Sequence, residues 1–528
     1  MSIDPTPIGI RADSSADEVA LVDATGVLTW GQAHDQLIRA AGGLQAVADR
    51  PGQRWAVLGE NAIPTVVAHV AGLLAGVGTA ALSRQLTASE LAYQFKDAGI
   101  VAVVTGISSL ASVLEAAEQV DLDLVVVHGE GAEAAVAQSA TAVQSRVEVR
   151  SWGQWLAQAP AASAPTDRPP APMLVYTSGT TGRPSGTEVR WLTGAQLTAG
   201  DYLAALIEQS HTPSGAHLVA GPLQHNGPLT AVRHLLTGEP VVVLERFDAE
   251  AALAAIERYR VSSSVMVPTH FQRMLSLPVE VRERYDVSSL RLLAHTGSAC
   301  PVSVKEAMIA WFGPVLVESY GGSEVGTLCR IGSNDWLTRR GSVGRAVPPF
   351  EVLVLADDGT PLPVGTSGLL CFKAPAEHGI RYHHDPDKTA SAYVAPGVLT
   401  LGDIGRVDDD GFVYITDRAA DVVVSGGVNL YPAEGEQCLL THPQVADVAV
   451  IGIPHPDLGE QLLALVVSTT ADPPLAAELE AWCRRTLAPY KCPRRFEFLE
   501  VLPRNAMNKL DKPALRRPYW PSARTVAG

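Results

Sequence analysis

Leu174-Val175-Tyr176-Thr177-Ser178-Gly179-Thr180-Thr181-Gly182-Arg183-Pro184-Ser185-Gly186 decides how the rest of this chain is read. The apolar run from Met173 to Val175 predicts a short buried strand. It empties into five hydroxyl side chains, Tyr176, Thr177, Ser178, Thr180 and Thr181, interleaved with Gly179, Gly182 and Gly186. Glycine lets a backbone approach a ligand closely, and hydroxyls beside bare N–H groups suit a phosphate chain. A Walker-type loop is excluded, because no Gly-Lys-Ser/Thr follows and Pro184 forbids that helix start. A plain surface loop would not need a buried strand feeding its glycines in this order.

Five more segments carry the same kind of chemistry. Ser319-Tyr320-Gly321-Gly322-Ser323-Glu324 follows an apolar run at 315–317. An aromatic ring on a glycine-rich turn can stack on a purine, and a nearby carboxylate can hold Mg²⁺ against phosphate oxygens. Leu401-Gly402-Asp403 precedes an acidic hairpin turn at 408–411, and Thr416-Asp417-Arg418 lies just beyond it. Ser425-Gly426-Gly427-Val428-Asn429-Leu430-Tyr431-Pro432 and Pro503-Arg504-Asn505-Ala506-Met507-Asn508-Lys509 complete the set.

Together these segments resemble the motifs of the adenylate-forming superfamily of acyl- and aryl-CoA ligases, adenylation domains and luciferases. The resemblance runs from about residue 20 to 518. It implies an α/β fold, a large multi-subdomain N-terminal domain with mostly parallel sheets followed by a small, mobile α+β domain. The expected boundaries are 1–417, a hinge at 418–421, and 422–528. By the same resemblance Thr177, Ser178, Gly179, Thr180 and Thr181 cradle phosphates. Gly297, Ser298 and Ala299 line the acyl pocket and adenine site, with Ser319, Tyr320, Gly321 and Ser323 beside the adenine. Glu324 faces the metal, and Asp403 and Arg418 reach the ribose. Gly426 and Gly427 border a pantetheine channel. Lys509 bridges carboxylate and α-phosphate, and His225 stands at the pocket mouth.

The implied reaction joins a carboxylic acid to coenzyme A through an acyl-AMP, using ATP and Mg²⁺. Rival readings are an acyl-AMP ligase that loads a carrier protein and a non-catalytic acyl-nucleotide binding protein. One departure matters. The family motif ends Pro-Lys-Gly, and here the lysine position is Ser185, followed by the altered run Thr187 to Trp191. Loss of that cation predicts a weakened adenylation step, or an enzyme that takes its acyl-adenylate from a separate adenylating enzyme. Pocket segments 224–227, 267–270, 297–299 and 321–322 carry no charge placed to read a second carboxylate or an amine. A bulky hydrophobic or polycyclic acid is expected.

Composition sets the outer limits. The 528 residues exceed what one core organises, so two or more domains are expected. Apolar content of 47% with 18% charged describes a globular chain. A net charge of −16 disfavours nucleic acid and requires any anionic ligand to be met by local charge. The six cysteines are scattered without zinc spacing, which suggests inert thiols in a reducing compartment. No signal sequence is visible at the start, so a cytoplasmic protein is expected. The longest apolar stretch, 66–82, reads as a buried helix, falling short of the ~20 residues that span a bilayer. A homodimer is left open.

Overall fold

The computed structural model describes residues 6–48, 50, 52–142, 147–162, 172–177, 185–189, 198–210, 213–425, 428–471, 473–504 and 510–520. These form four sheets. The first has seven strands in the order Glu148–Ser151, Leu124–His128, Ile100–Gly106, Arg54–Leu58, Gly78–Leu82, Met173–Thr177, Ser185–Val189. All pairings are parallel except the last, where Ser185–Val189 turns back antiparallel to form the edge. The second has nine strands. Its parallel centre is Leu316–Gly322, Leu292–His295, Ser263–Met266, His217–Val219, Val241–Val243 and Val19–Val22.

Parallel strands covered on both faces read as continuous apolar runs, and all seven residues of Ile100–Gly106 are buried. Helices Trp30–Val47 and Ile63–Ala75 share one core with both parallel sheets. Trp30, Leu37, Val66 and Val70 cluster with Val57 and Val104 of the first sheet and Leu21, Val219 and Val241 of the second. The stretch expected as one buried helix divides in two. The helix stops at Ala75, where Gly76 takes a left-handed conformation (φ 67°), and Gly78–Leu82 continues as a fully buried strand. Uniform apolarity hides that break, because helix and buried strand need the same residues.

A third, antiparallel sheet comprises Glu351–Leu355, Gly368–Lys373, Val398–Val407, Tyr393–Ala395 and Val413–Arg418. A short 3₁₀ turn, Ala419–Asp421, leads from it to the fourth sheet. That sheet contains Val423–Ser425, Val428–Leu430, Val445–His455, Gly459–Ser468 and Arg495–Phe498, with its own apolar clusters on both faces. All six cysteines are free thiols. Among the described residues, no helix is long and apolar enough to cross a membrane.

Among the described residues, burial keeps six histidines in these cores neutral, His217 among them. Burial pushes His69 and His295 down to about 3, and His128, His234 and His270 down to about 4. Unfolding frees each ring to take a proton near its ordinary pH of 6.5, so the unfolded chain binds more protons below that value. Stability is therefore present above pH 6.5 and is lost as pH falls toward 4. Each ring contributes a slope of about 1.4 kcal/mol per pH unit. Asp417, raised by burial to about 6, acts in the opposite sense and offsets one of them. The melting temperature should fall steeply between pH 7 and pH 5. A flat profile over that range would show that the rings are accommodated in charged form.

Candidate active site

In parallel sheets the backbone that remains available to a ligand lies beyond the carboxyl ends of the strands. The expected site segments emerge there. The loop at 220–229 follows His217–Val219, residues 296–299 follow Leu292–His295, and Ser319 to Gly322 end Leu316–Gly322. Asn61, from the loop after Arg54–Leu58 in the other sheet, ties the first of these loops to the end of Val241–Val243. Its side chain donates to the Gly221 carbonyl (2.8 Å) and the Leu244 carbonyl (3.0 Å) and accepts from the Leu223 amide (2.9 Å). That fixes the loop carrying His225. A Cβ on Gly227 would lie 3.1 Å from Val265 and 3.8 Å from Thr296, so this loop runs against the start of the Gly297 loop. Gly297 adopts φ 91°, and Gly297, Ser298 and Ala299 are exposed.

Tyr320 lies on a strand, not on the turn expected from its glycines. Leu316–Gly322 runs antiparallel to Gly326–Gly332 and turns only at 323–325. The glycines serve close pairing instead, since a Cβ on Gly321 would fall 1.9 Å from the Gly326 carbonyl oxygen. The Tyr320 hydroxyl donates to Asp403 Oδ2 at 2.6 Å, and Arg418 Nε lies 3.4 Å from Asp403 Oδ1. Asp403 and Arg418 are paired residues on neighbouring strands of the third sheet, so their side chains share a face. Burial, reinforced by Asp403, holds the Tyr320 hydroxyl protonated far above its ordinary range. Asp403 itself is 6% exposed. Beneath this cluster Lys305 meets Glu318 at 2.5 Å in the core. Burial moves both toward neutrality, raising the carboxyl and lowering the amine.

Glu324 sits on the turn after Ser323. A Cβ on Gly322 would come within 2.5 Å of its Oε2, so the bare glycine makes room for the carboxylate. The Tyr382 hydroxyl lies near Glu324, and burial together with that carboxylate raises the hydroxyl's pKa. Among the described residues there is no group of three or more His, Cys, Asp or Glu able to hold a metal alone. A lone carboxylate with room around it fits Mg²⁺, which binds through one or two carboxylates plus substrate phosphates and water. Bound there, the ion would neutralise phosphate charge.

Thr177 and Ser185 face each other across the antiparallel pair that flanks the hydroxyl loop. Ser178, Gly179, Thr180, Thr181, Gly426, Gly427 and Lys509 lie outside the described residues. Three neighbours of the site escaped the sequence reading: Asn61, Tyr382 and Lys388. The segment 381–383 adds to the edge strand, with the His383 amide donating to the Gly186 carbonyl (2.8 Å) and Tyr382 bridging Thr187. Helix Pro386–Ser391 follows, capped by Asp385, and its Lys388 Nζ donates to Ser185 Oγ at 2.9 Å. The Asp385-Pro386 capping pair was the one local signal available.

Residues 10–378 match the model of the AMP-binding enzyme family, and residues 434–509 match the AMP-binding enzyme C-terminal domain. The medium/long-chain-fatty-acid–CoA ligase FadD8 of Mycobacterium tuberculosis is 30% identical over 95% of this chain and 87% of its own. A (methyl-dioxo-octahydroindenyl)propanoyl:CoA ligase of the same organism is 33% identical over 95% of this chain and 96% of its own. Among solved structures, the amide bond synthetase McbA of Marinactinospora thermotolerans superposes with a TM-score of 0.79 at 27% identity. That match covers 97% of this chain and 100% of McbA.

The Tyr320–Asp403–Arg418 cluster makes a direct claim about nucleotide binding. Asp403→Asn keeps the shape but removes the charge that two donors share. Hydrogen bonds to a charged group contribute about 1.5–3 kcal/mol. AMP affinity measured by calorimetry should fall by about ten- to a hundredfold. Unchanged affinity in a folded variant would place the nucleotide elsewhere.

Proposed function

We propose that this chain, which belongs to the AMP-binding enzyme family, is an acid–thiol ligase that makes an acyl-CoA in two steps. A carboxylate oxygen of the acid attacks the α-phosphorus of ATP, and the bond to pyrophosphate breaks. The sulfur of CoA then attacks the acyl carbon, AMP leaves, and the thiol proton passes to solvent. Carboxylates resist nucleophiles, and exchange of the oxygen for an AMP leaving group removes that barrier. The observation that carries this reading is the junction of Tyr320, Asp403 and Arg418. It brings a ring, a carboxylate and a guanidinium from two sheets to one spot, as an adenosine with its two ribose hydroxyls requires.

In this reading the hydroxyl loop and Glu324, with Mg²⁺, take the phosphates, and Lys509 holds the reacting carboxylate against the α-phosphate. His225 and 297–299 border the acid. The 3₁₀ turn Ala419–Asp421 is the pivot about which the C-terminal domain turns between steps, and a hinge needs only to absorb a backbone change. Gly426 and Gly427 leave room for the pantetheine arm. CoA is favoured over a carrier protein or an amine acceptor by the Ser425-to-Pro432 motif and by relatives named as CoA ligases. The acid is bulky and hydrophobic or polycyclic, a class that includes the acid of the bicyclic relative. Ser185 supports a second reading, in which adenylation is lost and a separate enzyme supplies the acyl-AMP.

A panel of fatty, aryl and polycyclic acids, incubated with ATP and either CoA or an amine, tests the assignment. Thioester formation with bulky acids supports it; efficient use of malonate or an amino acid, or amide formation in place of thioester, overturns it. Lys509→Ala should abolish acyl-AMP formation. Conversion of supplied acyl-AMP and CoA should stay within about tenfold of the unaltered enzyme, a barrier change under ~1.4 kcal/mol. Equal loss of both steps would refute the role given to Lys509.

A further inference from the structure

We infer that Lys388 supplies the positive charge that Ser185 lacks, contacting the β- and γ-phosphates of ATP from a neighbouring segment. This rests on the ligase reading above and bears on whether adenylation is retained. Three observations carry it. The Lys388 ammonium is 2.9 Å from Ser185 Oγ, although the two residues are 203 positions apart. The cation therefore sits one hydrogen bond beyond the point where a longer side chain at 185 would continue. Among the described residues it also lies over the face of the Tyr382 ring, 4.3 Å from the centroid. A hydroxyl and a ring orient an ammonium without neutralising it, so its charge is available to an anion.

The hydroxyl of the same Tyr382 ring lies near the Glu324 carboxylate, whose charge adds to burial in raising the hydroxyl's pKa. Lys388 thus contacts both Ser185 and Tyr382, with Glu324, the carboxylate proposed for Mg²⁺, near the Tyr382 hydroxyl. The placement is built, not incidental. Segment 381–383 is hydrogen-bonded along Ser185–Val189, Thr389 Oγ1 accepts from the Tyr382 amide at 3.0 Å, and Asp385 accepts from the Lys388 amide at 2.9 Å. Lys388 thus follows a segment bonded to the edge strand that begins at Ser185. During acyl-AMP formation negative charge moves onto pyrophosphate, and an ammonium there stabilises the charge as it develops.

The decisive comparison is between two nucleotides and needs no knowledge of the acid. The full chain is titrated by calorimetry with Mg²⁺ and a non-hydrolysable ATP analogue, and separately with AMP. Lys388→Ala should weaken the ATP analogue by at least about tenfold and AMP by less than about twofold. Lys388→Arg should retain most of the affinity. Ser185→Lys in the Lys388→Ala background should restore the preference for the triphosphate. With a turned-over acid in hand, ATP–pyrophosphate exchange should drop by about 10²–10³ in Lys388→Ala and recover in the double variant.

An unchanged ratio of the two affinities in Lys388→Ala, or the same loss falling on Arg183→Ala or Arg190→Ala instead, overturns the proposal and leaves the ligase reading standing. So does a wild-type chain that converts supplied acyl-AMP to thioester but performs no exchange. A wild-type chain that binds neither nucleotide overturns the ligase reading and the proposal together. Retained AMP binding in Lys388→Ala shows that the variant is folded.

Discussion

A parallel sheet buried on both faces offers a ligand nothing but its ends. Helices Trp30–Val47 and Ile63–Ala75 lie in one core with both parallel sheets, so no strand face is left for binding. The chain must then build its site from loops at the carboxyl edges, and those loops must be fixed by something other than ladder bonds. Asn61 does this by satisfying three backbone groups from loops of the opposite sheet. An amide that makes all three bonds while buried costs little; with one partner missing, desolvation would cost about 1–3 kcal/mol. The geometry of the site is thus bound to the packing of the two sheets, because loops from both must arrive together.

Charge is the second constraint. With a net charge of −16, the molecule's average field repels a polyphosphate. The site also places carboxylates at its centre, Asp403 and Glu324. Asp403 is matched by two donors, Tyr320 and Arg418, and Glu324 has the Tyr382 hydroxyl nearby. Cations enter singly and from different elements, Arg418 from the end of a strand and Lys388 from a capped helical turn. Local reversal of sign is achieved by position, not by number.

Much of this was legible in the sequence because the signals are local. Short apolar runs at 173–175 and 315–317 became strands Met173–Thr177 and Leu316–Gly322, and the first leads into the hydroxyl loop as its composition suggests. Where the reading failed, one residue pattern admitted two structures. The glycines after Tyr320 suit a turn and equally suit a tight antiparallel pair, and only the Gly326 carbonyl distinguishes them. Asn61, Tyr382 and Lys388 were illegible for a different reason. Their partners are 162, 58 and 203 residues away, and no periodicity encodes which loop will meet which.

The pair Ser185–Lys388 shows how such a distant contact constrains the local motif. A lysine at 185 would bring a second ammonium into the neighbourhood of Lys388, and with no phosphate between them the two like charges would disfavour one another. Serine resolves the conflict by accepting a hydrogen bond from the cation already there. The departure at 185 is then one half of an exchange in which the edge pairing of Thr187 with Tyr382 brings the charge in from another part of the chain. Read alone, Ser185 is a missing cation; read with the sheet edge, it is the acceptor that holds the Lys388 ammonium.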